Sequence, residues 1–246
     1  MGKKGRSGHL KRKPAPKFWP IHRKEKTWTV KPVPGPHPVE ECIPLMLIVR
    51  DYLDLAETRR EAEIIIKRGL IEVDGVVRKE PRFPVGLMDV VQIREVEKSF
   101  RVLPTEKGLS LHEIKAEEAN VKLCRIENKT TVKGGYTQLN LHDGRNILIK
   151  DEEEAKMYKT LDTVMIEIPK QNILKHIKMG EGVYVIVTGG KNIGKHGKIL
   201  EIGEVSGVRR RKYEVVLEDK SGEKIHTILD YIFALGEEEP LISLPD

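Results

Sequence analysis

Three groups of residues in this 246-residue chain have types and spacing that could do chemistry or bind charge. The first is Gly189 followed by Gly194-Lys195, which fits the GxxxxGK frame of a phosphate-cradling loop. Position 196 is His where that loop needs a hydroxyl for magnesium, and Gly197-Lys-Ile-Leu-Glu-Ile202 alternates like a strand instead of opening a helix. Nucleotide hydrolysis is therefore set aside. The second group is eight histidines (His9, His22, His37, His112, His142, His176, His196, His226) and two cysteines, Cys42 and Cys124. No HExxH, CxxC or GxSxG frame joins them, so a zinc centre, a disulfide framework, a catalytic nucleophile and a cofactor are not expected. The third group is the lysines and arginines, and it carries the signal.

Residues 1–31 hold eleven basic residues, beginning with Lys3, Lys4, Arg6, Lys11, Arg12, Lys13 and Lys17, against the single acid Glu25, a net +10. The other 215 residues carry 33 basic and 37 acidic groups, a net −4. A mildly acidic body with a very basic arm is the electrostatic footprint of a chain that meets a polyanion, because cations near phosphates release condensed counterions. Phe18, Trp19 and Trp28 interleave with the charge and could stack on bases. The competing readings are a solvated tail and a membrane-surface arm, and the second lacks a helical apolar period. Gly and Pro should keep the arm extended, and with no face to bury it is expected to order only on its partner. No run of about 18 apolar residues and no secretory pattern is present, so a cytoplasmic, membrane-free protein is expected.

The elements that must position these groups follow in order. Five prolines from Pro32 to Pro44 read as a stiff linker. Leu45 to Tyr52 reads as a short helix. A second helix begins with Thr58 as N-cap and Glu61 as its capping-box partner and stops at Gly69. Ala62, Ile65 and Ile66 share one face of it, and Arg60 and Lys67 point the other way. Ile71 to Arg78 is a hairpin about Asp74-Gly75, and Met88 to Ile93 is a third strand. Further strands are expected at 121–126, 138–141, 145–149 and 163–168. Asp151 to Glu154 reads as a solvated loop or helix start. Near the C-terminus, Gly182 to Val187 and Lys198 to Ile202 flank a glycine-rich loop carrying Lys191, Lys195, His196 and Lys198, and Arg209, Arg210 and Arg211 open a later strand.

Thr58-Arg59, Ala62, Ile65, Gly69, Ile71, Val73, Asp74-Gly75 and Asp89-Val-Val resemble a small RNA-binding module. It is shared by the bacterial small-subunit ribosomal protein number four, pseudouridine synthases and tyrosyl-tRNA synthetases. The resemblance implies RNA contacts at Arg59, Arg60, Lys67, Arg68 and Arg78. The glycine-rich loop is similar to the KOW motif of SH3-like barrels. Basic arm, proline linker, helical module, central domain, the loop Val187 to Gly194 and a closing Ile242-Ser-Leu-Pro245 together resemble the e-type number-four family of small-subunit ribosomal proteins of archaea and eukaryotes. The short Gly207-Val208-Arg209 and the stop at Asp246 suit an archaeal member.

The fold class expected is α+β, multidomain and mostly β: an extension over 1–42, an RNA-binding module over 43–105, a central β domain over 106–172 and an SH3-like barrel over 173–246. The implied partners are small-subunit ribosomal RNA and neighbouring small-subunit proteins, with no small-molecule substrate and no enzymatic activity. The alternatives are a free RNA-processing or translation-regulating factor and a protein-binding scaffold.

Overall fold

The computed structural model describes residues 8–205 and 212–245. The basic arm is folded against the body. Strand β1 (Leu10–Lys11) pairs antiparallel with β2 (Trp28–Thr29), and the loop between them inserts Ala15 and Trp19, 4% and 3% exposed, into a core built by later residues. The Trp19 indole N–H donates to the Cys42 carbonyl at 2.8 Å. Two arginines staple the loop. Arg12 donates to the carbonyls of Trp28 and His22, and Arg23 donates to those of Arg12, Lys13, Ala15 and Pro16. This corrects the expectation of an extended arm with nothing to bury. A lone Trp among Pro and Gly has no periodicity, because the surface it packs on is supplied by distant residues such as Ile43 and Val102.

The proline segment is packed as well as stiff. The Val33 N–H donates to the Arg82 carbonyl at 3.0 Å, and His37 is buried. The chain then enters β3 (Cys42–Pro44), which pairs with β6 (Pro84–Gly86), and a short helical stretch, α1 (Leu45–Leu47) followed by a π-helical turn (Ile48–Tyr52). Helix α2 (Arg59–Lys67) has the complete capping box: the Glu61 N–H donates to the Thr58 hydroxyl, and the Thr58 N–H donates to the Glu61 carboxylate. Next come β4 (Ile71–Val73), β5 (Val76–Val77), β7 (Val90–Ile93), β8 (Lys98–Thr105) and β9 (Gly108–Ile114), in the sheet order β5-β4-β7-β8-β9. Asp74 and Gly75 both have positive φ, 51° and 70°, as the two-residue turn between β4 and β5 requires.

The central sheet contains β10 (Val121–Thr131), β11 (Thr137–Leu141), β12 (Asn146–Ile149), β13 (Thr163–Glu167) and β14 (Ile173–Ile177), ordered β12-β11-β10-β13-β14. The acidic run becomes α3 (Glu152–Met157), with Asp151 as its N-cap. The last sheet has β15 (Tyr184–Val187), β16 (His196–Val205), β17 (Lys212–Glu218), β18 (Lys224–Ile228) and β19 (Ile232–Gly236), ordered β18-β17-β16-β15-β19. Its first strand lies between its second and its last, the arrangement of an SH3-like half-barrel.

The mostly-β α+β class read from the sequence is therefore the architecture found. The sheets do not follow the expected divisions. Residues 105 and 106 lie at the tight turn joining β8 to β9, so β9 belongs with the helical module, and β14 belongs with the central sheet through β13. Turn residues such as Lys107-Gly108 mark a hairpin as readily as a linker. The hydrophobic cores also cross modules: Met88, Leu103, Leu123 and Ile177 all pack into the cluster centred on Val185 and Phe233. Among the described residues no helix is long and apolar enough to cross a membrane.

Candidate nucleic-acid interface

Helix α2 presents its cations as its sequence demands. Ala62 and Ile66 are fully buried and Ile65 is half-buried, which leaves Arg59, Arg60, Lys67 and Arg68 exposed on the outer surface. Arg59 pairs with Glu63 at 2.9 Å; Arg60, Lys67 and Arg68 have no ion-pair partner among the described residues. Arg78 is half-buried, with its guanidinium 4.5 Å above the Phe83 ring. Such a surface, rigid below and cationic above, can hold phosphates without any rearrangement of the backbone.

The glycine-rich loop divides its candidates. Lys191 and Lys198 are exposed, and Lys195 lies 3.7 Å from Glu223. His196 is half-buried with its Nδ1 2.7 Å from the Tyr184 hydroxyl, and burial, with Lys220 nearby, lowers its pKa below the ordinary value. That shift makes it a weaker candidate for a phosphate-binding cation than the lysines around it. Strand β16 starts at His196, so no helix N-terminus faces the loop. The glycines serve close approach within the chain: a Cβ at Gly194 would lie 2.8 Å from the Thr105 backbone, and one at Gly197 would lie 2.2 Å from the Glu218 carbonyl oxygen.

In the arm, Lys11, Lys13 and Lys17 are exposed, whereas Arg12 is 8% exposed and engaged with backbone carbonyls, so it is a structural staple. Lys3, Lys4 and Arg6, and Arg209, Arg210 and Arg211, lie outside the described residues.

A buried charge cluster that residue spacing does not announce joins the modules. Lys122 on β10 is fully buried, and its Nζ lies 2.8 Å from Asp74, 2.5 Å from Asp89 and 2.9 Å from Asp143. Asp74 and Asp89 come from the helical module and Asp143 from the central sheet. Arg145 bridges Asp74 and Asp143, and the His37 Nε2–H donates to Asp89. Burial alone would lower the Lys122 pKa, but the surrounding carboxylates raise it well above its ordinary value. Burial likewise acts to raise Asp89, and Lys122 and His37 override it, holding that carboxyl far below the usual range. The one sequence hint was a lysine inside the otherwise apolar run 121–124.

Beside this cluster, Cys124, His142 and Asp143 come within 4.8 Å of one another, a spacing that could suit a metal. Their chemistry does not fit one. The His142 Nε2–H donates to the Leu87 carbonyl, and its Nδ1 accepts from the Arg125 N–H, so both ring nitrogens are occupied. Burial keeps the Cys124 thiol protonated, and the Lys122 ammonium already neutralises Asp143.

Comparison with known proteins places this geometry in a family. The chain matches the model for ribosomal family S4e over residues 96–173, the RS4NT domain over 4–40 and the S4 domain over 45–91. It is 53% identical to a small ribosomal subunit protein eS4 of Staphylothermus marinus, over 100% of this chain and 99% of that one. It is 49% identical to the protein of the same name from Methanocaldococcus jannaschii, over 99% and 100%. The crystal structure of the 30S ribosomal protein S4e from Thermoplasma acidophilum superposes with a TM-score of 0.66 at 31% identity, covering 80% of this chain and 96% of that one.

Proposed function

The chain belongs to the ribosomal S4e family, and from that premise we propose that it is a structural constituent of the small ribosomal subunit. It binds ribosomal RNA through the arm, the outer face of α2 and the lysines of the glycine-rich loop. The observation that carries this reading is the α2 surface, where Arg60, Lys67 and Arg68 stand free on a helix fixed from beneath by Ala62 and Ile66. The mechanism is positional. Cations neutralise phosphates and release counterions, and a rigid protein surface reads the shape of A-form RNA so that RNA helices can pack together. Four Phe, two Trp and six Tyr leave few stacking platforms, so base reading is the lesser mode. The acidic start of α3, at Glu152, Glu153 and Glu154, would repel phosphate and suits a neighbouring basic protein. The place of work is the cytoplasmic ribosome, and the role is assembly, not catalysis.

Sedimentation tests the reading. Epitope-tagged chain in a cell lysate should travel with small subunits through a high-salt sucrose gradient. Recovery at the top of the gradient, or with precursor particles only, would instead favour a free processing factor.

A further inference from the structure

We propose that the folded arm carries a binding site for an unpaired RNA nucleotide, with its base stacked on Trp28 and its flanking phosphates held by Lys13, Lys24 and Lys26. The proposal deepens the RNA-binding reading and rests on it. The two tryptophans of the chain have opposite fates. Trp19 is 3% exposed inside the core, whereas Trp28 is 55% exposed although it belongs to a paired strand. Its exposure is built in: Trp28 sits opposite Lys11 in the β1–β2 ladder, and its carbonyl accepts from Arg12 Nε at 3.3 Å. The ring is oriented by neighbours, with the His9 ring centroid 5.5 Å away and the Lys11 ammonium 6.0 Å from its own centroid.

Lys11 also lines a cleft of about 490 Å³, together with Lys13, Arg23, Lys24, Glu25 and Lys26. Two of these groups are already engaged, Arg23 by backbone carbonyls and Glu25 by Arg12 at 3.9 Å. The ammonium groups of Lys13, Lys24 and Lys26 have no hydrogen-bond or ion-pair partner among the described residues. Lys11, which reaches both the Trp28 ring and the cleft, links an aromatic ring to a cleft with free ammonium groups, the combination that holds single-stranded nucleic acid, the ring taking the base and the cations its backbone. A paired base already has both faces stacked, and the deep major groove of A-form RNA does not admit such a ring, so the ligand is an unpaired nucleotide.

The test uses the full chain, a short oligoadenylate, a duplex RNA of equal length, and heparin as a polyanion without bases. Oligoadenylate should quench the emission of the exposed Trp28, and duplex RNA and heparin should not. Trp28→Leu should weaken oligoadenylate binding about tenfold, as expected for the loss of one stacked base. It should leave heparin affinity and the shielded Trp19 emission unchanged, and Trp28→Phe should restore most of the RNA affinity. Equal oligoadenylate affinity for wild type and Trp28→Leu, or equal quenching by heparin, would overturn the stacking site while leaving RNA binding through α2 intact. A wild-type chain that binds no RNA at all would remove the wider reading and this one with it.

Discussion

At the scale of single residues, Lys122 joins the helical module and the central sheet through one ammonium group. A buried ion pair is not a large net source of stability, but removing one partner leaves unpaired charge in the interior. Lys122→Met should therefore destabilise the fold by about 3–5 kcal/mol, measured by urea denaturation, because three carboxylates lose their shared cation. Loss of less than 1 kcal/mol would show that those aspartates reach water on their own. His142 gives a pH signature. Burial, with Lys122 beside the ring, lowers its pKa to about 4, against an ordinary value of 6.5. The unfolded chain thus takes up a proton that the folded one refuses, so stability falls as pH drops below about 6.5. Asp143 and His37 face the same ring and are kept in the comparison by using His142→Gln as the reference. Between pH 7 and pH 5 the wild type should lose about 1–2 kcal/mol more than that variant, the ring's remaining solvent contact reducing the full effect. Beyond the lysine inside the apolar run 121–124, this cluster was not legible in the sequence. The partners that cross from the helical module to the central sheet are 33 to 71 residues apart in sequence, and Asp74-Gly75 and Asp143-Gly144 read locally as turns.

At the scale of elements, what was legible was local. The capping box, the buried stripe and the outward cations of α2 all lie within one nine-residue helix and its cap, so spacing alone described them. Thr58→Ala should lower stability by about 1 kcal/mol, and Ile66→Asp should unfold the module by burying an unpaired charge. The arm was misread because its core contact, Trp19 on Cys42, spans 23 residues and depends on a face that forms elsewhere. The glycine-rich loop was half-read. Its lysines were legible from spacing alone, whereas the backbone its glycines admit, at Thr105 and Glu218, is set by the fold. Gly194 has φ +86° and touches the β8–β9 turn, so Gly194→Val combines backbone strain with a clash. It should lower the thermal midpoint, at about 1–3 kcal/mol for the strain alone. A midpoint equal to that of wild type would show that the loop is not docked on the helical module.

At the scale of the whole molecule, shared cores and the Lys122 cluster fix the basic surfaces relative to one another, so RNA meets one rigid body. The expected domain boundaries missed this because composition changes mark turns, whereas packing ignores them. Family membership establishes the setting, and in the proposed function the cations of α2 are the contact that can be removed without disturbing the fold. The measurement that tests this most directly is the salt dependence of full-chain binding to small-subunit ribosomal RNA, for wild type and for a chain carrying Arg59→Gln, Arg60→Gln, Lys67→Gln and Arg68→Gln. At roughly 0.7–0.9 per phosphate contact, the slope of log affinity against log salt should become shallower by about 3 in the variant. Its thermal midpoint should stay at the wild-type value. An unchanged slope and affinity in a folded variant would contradict the account, leaving α2 a solvated helix face.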